Sequence, residues 1–148
     1  MTWWKKMFGV PDADEERVDF YEEGLDLIKA GRFDDALTSF RLALKEAPGD
    51  EVILQQIAIT YTRMGMVDQA TKTYRHVLQK DPRAPGAHYG LAYLLLRSGD
   101  ERNARYHLEA FLANPPQGPD AQDHIAHAQA TLADLGGSSS GQGADDGS

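Results

Sequence analysis

The chain has 148 residues, 41% hydrophobic and 26% charged, which suffices for one domain with a sizeable core and fits neither a fibrous nor a wholly disordered composition. Its formal net charge is −8, from 15 Lys and Arg against 23 Asp and Glu, so the basic surface of a general nucleic-acid binder is missing. Cysteine is absent, which excludes a disulfide framework, a thiolate metal site and a cysteine nucleophile, and the expected location is cytoplasmic.

Residues 1–16 begin with MTWWKKMFGVP and end in an acidic linker. If the first residues are helical, Trp3, Trp4, Met7 and Phe8 share one side and Lys5 and Lys6 the other, and Gly9 and Pro11 end the turn. Tryptophan beside lysine suits a membrane interface, and the same side could dock on a partner or on the chain itself. The segment lacks the apolar core and cleavage site of a signal peptide, and no apolar run approaches the ~18 residues of a membrane span. Any membrane contact is therefore expected to be peripheral.

From residue 17 to residue 118 the chain repeats itself with a period of 34. Gly31, Gly65 and Gly99 keep the period, as do Ala36, Ala70 and Ala104, and Pro48, Pro82 and Pro116. Apolar residues recur in register: Phe40, Tyr74 and Leu108, then Ala43, Val77 and Phe111. The units are 17–50, 51–84 and 85–118. Within the second, Leu54, Ile57, Ala58 and Tyr61 fall at i, i+3, i+4 and i+7, one face of a helix. The glycine closes that helix in a left-handed conformation, the acids after it suit the start of the next, and the proline stops the second. Small residues on both helices, Gly24, Ala58 and Ala92, then Ala36, Ala70 and Ala104, let the paired helices approach closely.

After Pro119, Ala121, Ile125, Ala128, Leu132 and Leu135 lie on one helical face, a capping helix over 119–135 for the open end of the array. Residues 136–148, GGSSSGQGADDGS, have the composition of a disordered tail. At the other end, Glu15, Glu16, Asp19, Glu22, Glu23 and Asp26 form an acidic stripe at helical spacing, either a solvated face or a contact for a basic partner.

This pattern resembles the tetratricopeptide repeat family, whose 34-residue unit runs aromatic-x2-Leu-Gly-x2-Tyr, then Ala-x3-Phe, then Pro. The resemblance implies an all-α, right-handed superhelical array of helix-turn-helix repeats, an α-solenoid that acts as a non-catalytic scaffold or adaptor. Two departures stand out: Glu23 replaces a leucine in the first unit, as at an end repeat, and His88 replaces a large aromatic in the third, implying a more polar core site. In the family, fixed offsets of the first helix face a concave groove. Carried over, they hold Val18, Tyr21, Leu25, Ile28 and Lys29, then Val52, Gln55, Ile59, Thr62 and Arg63, then Gly86, Tyr89, Tyr93, Leu96 and Arg97. The set is apolar and aromatic, as an interaction site requires, although neighbouring helices or the chain's own termini could cover part of it. Lys29, Arg63 and Arg97 either complement helix dipoles or form a basic ladder for acidic groups on the ligand. A family subset clamps the terminal carboxylate of heat-shock chaperones through Lys, Asn and Arg. Those offsets here hold Tyr21, Leu25, Gln56, Gly86 and Gly90, so that clamp is missing and a largely apolar peptide or helix, with acidic groups in addition, is the expected partner.

No phosphate-binding loop, dinucleotide fingerprint or His-Glu-x-x-His motif occurs, and neither a cofactor nor catalysis is expected. His124 and His127, three residues apart with Asp120 and Asp123 nearby, have no third ligand fixed by the pattern, so no metal is assigned to them. The competing function is a peripheral membrane-attached assembly factor recruited through Trp3, Trp4, Lys5, Lys6 and Phe8.

Overall fold

The computed structural model describes residues 18–143, with side chains through residue 137. Seven helices and no strand are present among the described residues. Residues through Pro48 form one compact unit and residues from Gly49 form a second.

The first unit is a helix pair, α1 (Phe20–Lys29) and α2 (Phe33–Glu46). Asp19 caps α1, its carboxylate accepting from the Glu22 amide at 3.2 Å. The two helices meet where α1 carries no side chain: a Cβ on Gly24 would stand 2.5 Å from the Phe40 ring. Phe40 is fully buried and Tyr21 packs on it, ring centroids 6.0 Å apart. Glu23, the departure from the repeat pattern, stays exposed and accepts a hydrogen bond from Ser39.

The second unit contains α3 (Glu51–Arg63), α4 (Val67–Lys80), α5 (Pro85–Arg97), α6 (Glu101–Ala113) and α7 (Ala121–Gly143). Helix α3 pairs with α4, α5 with α6, and α4 packs on α5. Asp50 caps α3 by accepting from the amides of Val52 and Ile53 at 2.9 and 3.1 Å. Asp100 caps α6, and its two hydrogen bonds from Asn103 hold its carboxyl below the usual range. Pro82 and Pro116 follow α4 and α6, where a missing N–H and a fixed φ oppose another turn.

The same turn is built three times. Gly31, Gly65 and Gly99 have φ of 75, 77 and 83°, and the next residue's amide returns 2.9 Å to the carbonyl five residues back, Arg32 to Leu27, Met66 to Tyr61 and Asp100 to Leu95. Each closure satisfies carbonyls left over at the helix end. The period-34 alanines Ala36, Ala70 and Ala104, with Ala58 and Ala92, are completely buried, as close helix contact demands.

Helix α7 packs on α6 and buries Ala121, Ala128 and Leu135, with Ile125 and Leu132 half-buried, the face expected from the sequence. It does not stop there. The helix runs on to Gly143, through eight residues expected to belong to the tail. Among the described residues no helix is long and apolar enough to cross a membrane.

Candidate functional site

The first-helix face of the second unit begins on α3. Val52, Gln55, Ile59 and Arg63 follow one another at i, i+3, i+7 and i+11, a single stripe. Val52 is 55% exposed and Ile59 37%, two of the four large hydrophobic side chains that stand in solvent among the described residues. The neighbouring first helix comes close: Gly86 at the start of α5 leaves room only for the Gln55 amide, and Gly90 one turn later only for the Tyr74 ring from α4. Burial raises the Tyr74 phenol, with a hydrogen bond to Thr62 acting the other way. The glycines that break the carboxylate-clamp pattern thus serve close packing.

The corresponding stripe of α5 has a different surrounding. Tyr89 and Tyr93 lie 4.8 Å apart, ring to ring, and Tyr89 packs on Phe111 at 5.1 Å and His124 at 5.0 Å. Burial, and then Tyr93, push the Tyr89 phenol up to about 12, so it keeps its proton, and its hydroxyl is hydrogen-bonded with Nδ1 of His127 at 2.7 Å. The His127 ring stacks on Tyr93, 4.8 Å away and 3° from parallel. Thr131 donates to the carbonyl of His127 at 2.8 Å, which leaves its oxygen to accept from the Tyr93 hydroxyl at 2.9 Å. Tyr89, Tyr93 and Leu96 therefore pack against the Ala92, Leu108, Phe111, Ala128 and Leu135 core beneath α7. The chain's own last helix covers part of the surface that the sequence assigns to a ligand.

Of the remaining sequence candidates, Tyr21 and Leu25 are half-buried in the first unit and Ile28 is buried in its core. Lys29, Arg63 and Arg97 stand in the last turns of α1, α3 and α5, all exposed, where each complements its helix dipole. Trp3, Trp4, Lys5, Lys6 and Phe8 lie outside the described residues. His124 and His127 face tyrosines, and among the described residues no group of three metal-ligating side chains forms.

Sequence reasoning missed His107 and Thr131. His88 is 5% exposed; its Nε2–H donates to the Pro82 carbonyl at 2.7 Å, which leaves Nδ1 to accept from Nδ1–H of His107 at 3.0 Å. The His88 departure does mark a polar core site, but nothing in the period names its partner. Thr131 follows His127 by four residues as Tyr93 follows Tyr89, so one helix face meets another, but nothing in the sequence names that pairing.

Repeated helix pairs with glycine-closed turns and alanine seams define a class of helical-repeat protein, and comparison agrees. Two tetratricopeptide repeat models match, over residues 27–77 and 56–119, together well over half of the chain. The protein belongs to the tetratricopeptide repeat family. It is 29% identical over 117 residues to the inactive TPR repeat-containing thioredoxin TTL3 of Arabidopsis thaliana, an alignment covering 79% of this chain and 17% of that protein. The chain spans at most 17% of the curated relatives it matches here. Among solved structures it is similar to Pseudomonas aeruginosa PcrH in complex with the chaperone-binding region of PopD, with a TM-score of 0.72 and 22% identity, over 81% of this chain and 90% of that one. It is also similar to the Yersinia enterocolitica type III secretion chaperone SycD in complex with a YopD peptide, with a TM-score of 0.72 and 18% identity, over 78% and 88%. These likenesses show the fold, an all-α solenoid.

Proposed function

We propose that the chain is a non-catalytic interaction scaffold that takes a peptide or helix of a partner protein on its first-helix faces. The carrying observation is the α3 stripe, where Val52 and Ile59 stay in solvent while every core requirement of the repeat is met by other residues. An apolar row left over after core packing marks an interaction surface. Arg63 and Arg97 at the ends of α3 and α5 fit a ligand that is largely apolar with acidic groups beside its apolar anchors. PcrH and SycD, which share the fold, were each crystallised with a segment of a partner polypeptide, which supports the reading. The working location is the cytoplasm.

The test is site-specific photo-crosslinking in the native cell, with the reactive group at Ile59 or, as a control, at exposed Thr38. A discrete adduct from position 59 that is absent from position 38, and is lost when Val52→Asp is added, supports the site. Identical adducts from both positions would remove it.

A further inference from the structure

Helix α4 carries a second surface, on the side opposite its core residues Ala70, Tyr74 and Val77. Lys72, Arg75, His76, Gln79 and Lys80 are all exposed and occupy i, i+3, i+4, i+7 and i+8, one stripe of the helix. Between Asp68 and Asp81 the segment contains no acid, and none of these side chains forms an ion pair with a described residue. The other second helices do not repeat this feature: the same offsets hold Thr38, Arg41, Leu42, Lys45 and Glu46 in α2, and Tyr106, Glu109, Ala110, Ala113 and Asn114 in and just after α6. Beside the stripe, Arg75 lies close enough to His107 to lower its pKa, and Tyr106, edge-on to His107 at 5.1 Å, is 63% exposed. An uncovered aromatic thus borders the cations, the composition of an interface anchor.

The chain contains a matching acidic stripe. On α1 and its cap, Asp19, Glu22, Glu23 and Asp26 are exposed at i, i+3, i+4 and i+7, four carboxylates on one face, against Lys72, Arg75 and Lys80 at i, i+3 and i+8 on α4. Residues 11–50 carry a net −7, while residues 51–84 carry +2. We propose that the α4 stripe binds the acidic α1 stripe of a second copy of this chain, giving head-to-tail self-association. Each copy carries −8, so approach is opposed at long range, and the contact rests on the short-range complementarity of the two stripes, where carboxylates meet the cations inside the Debye length. The two stripes are different surfaces on each copy, so the contact is heterologous and each addition leaves a new pair of ends.

Sedimentation velocity of the full chain, over about a hundredfold range of concentration, tests this at about 0.01 M and about 1 M salt, where the screening length falls from ~30 to ~3 Å. At low salt the average mass is expected to climb with concentration past that of a dimer, and at high salt to return to the monomer. The double variants Glu22→Gln/Asp26→Asn and Lys72→Gln/Arg75→Gln, all at exposed positions, are expected to be monomeric alone at low salt and to form a one-to-one complex when mixed. A wild-type chain that stays monomeric at low salt, a variant that associates as wild type does, or a mixture that stays monomeric would overturn the proposal. None of these outcomes bears on Val52 and Ile59, so the proposed scaffold function stands or falls separately.

Discussion

His88 and His107 face each other through their Nδ1 atoms at 3.0 Å, in a contact between α5 and α6 that accommodates a single hydrogen. In the neutral pair, with His88 Nε2–H fixed on the Pro82 carbonyl, His107 supplies that hydrogen.

Acid is therefore expected to loosen the third repeat. Burial, then His88 and Arg75, lower the His107 pKa to about 4 from an ordinary 6.5. The unfolded chain binds the proton first as pH falls, so this contribution is fully present above pH 6.5 and is lost progressively towards pH 4. Discounted for the ring's partial exposure, it is on the order of 1–2 kcal/mol. Urea midpoints at pH 7 and pH 5 should fall less between the two for His107→Leu than for wild type; equal slopes would remove His107 as the source.

Gly24→Ala and Gly136→Ala should have opposite signs. The first drives a Cβ to 2.5 Å from the buried Phe40 ring and should cost about 1–3 kcal/mol. The second meets nothing within 4 Å on α7 and should gain up to about 1 kcal/mol from helix propensity. Thermal melts of the two variants check both directions.

Tyr93→Phe removes the hydroxyl bonded to Thr131 but keeps the ring stacked on His127. The expected loss is about 0.5–1.5 kcal/mol, confined to the seat of α7. Hydrogen exchange should quicken in α7 and stay unchanged in α3. Uniform loss of protection would mean that α7 does not open separately.

Asp50→Ala leaves the amides of Val52 and Ile53 without their shared acceptor, at an expected cost of about 1 kcal/mol. Asp50→Ser, which can still cap, should recover most of it, as read from chemical denaturation.

Tyr89 and Tyr93 illustrate how far the site was legible. Their offsets mark them as first-helix surface residues, which holds for α5 itself, but α7 lies across them through residues 38 positions away. Val52 and Ile59 sit at the same offsets on α3 and remain in solvent.

The sequence by itself determined the helices, their turns and their pairing, because each depends on interactions within a few residues: a left-handed glycine after each first helix, a proline after each second, and small and large apolar residues in register. It also held the charge contrast between α1 and α4, since spacing along a helix fixes which side chains share a face. Only the tertiary structure decided that His88 meets His107, that Tyr89 and Tyr93 hold down α7, and that Val52 and Ile59 stay uncovered. Those outcomes follow from which helix packs over which face, and a 34-residue period specifies each face without naming what covers it.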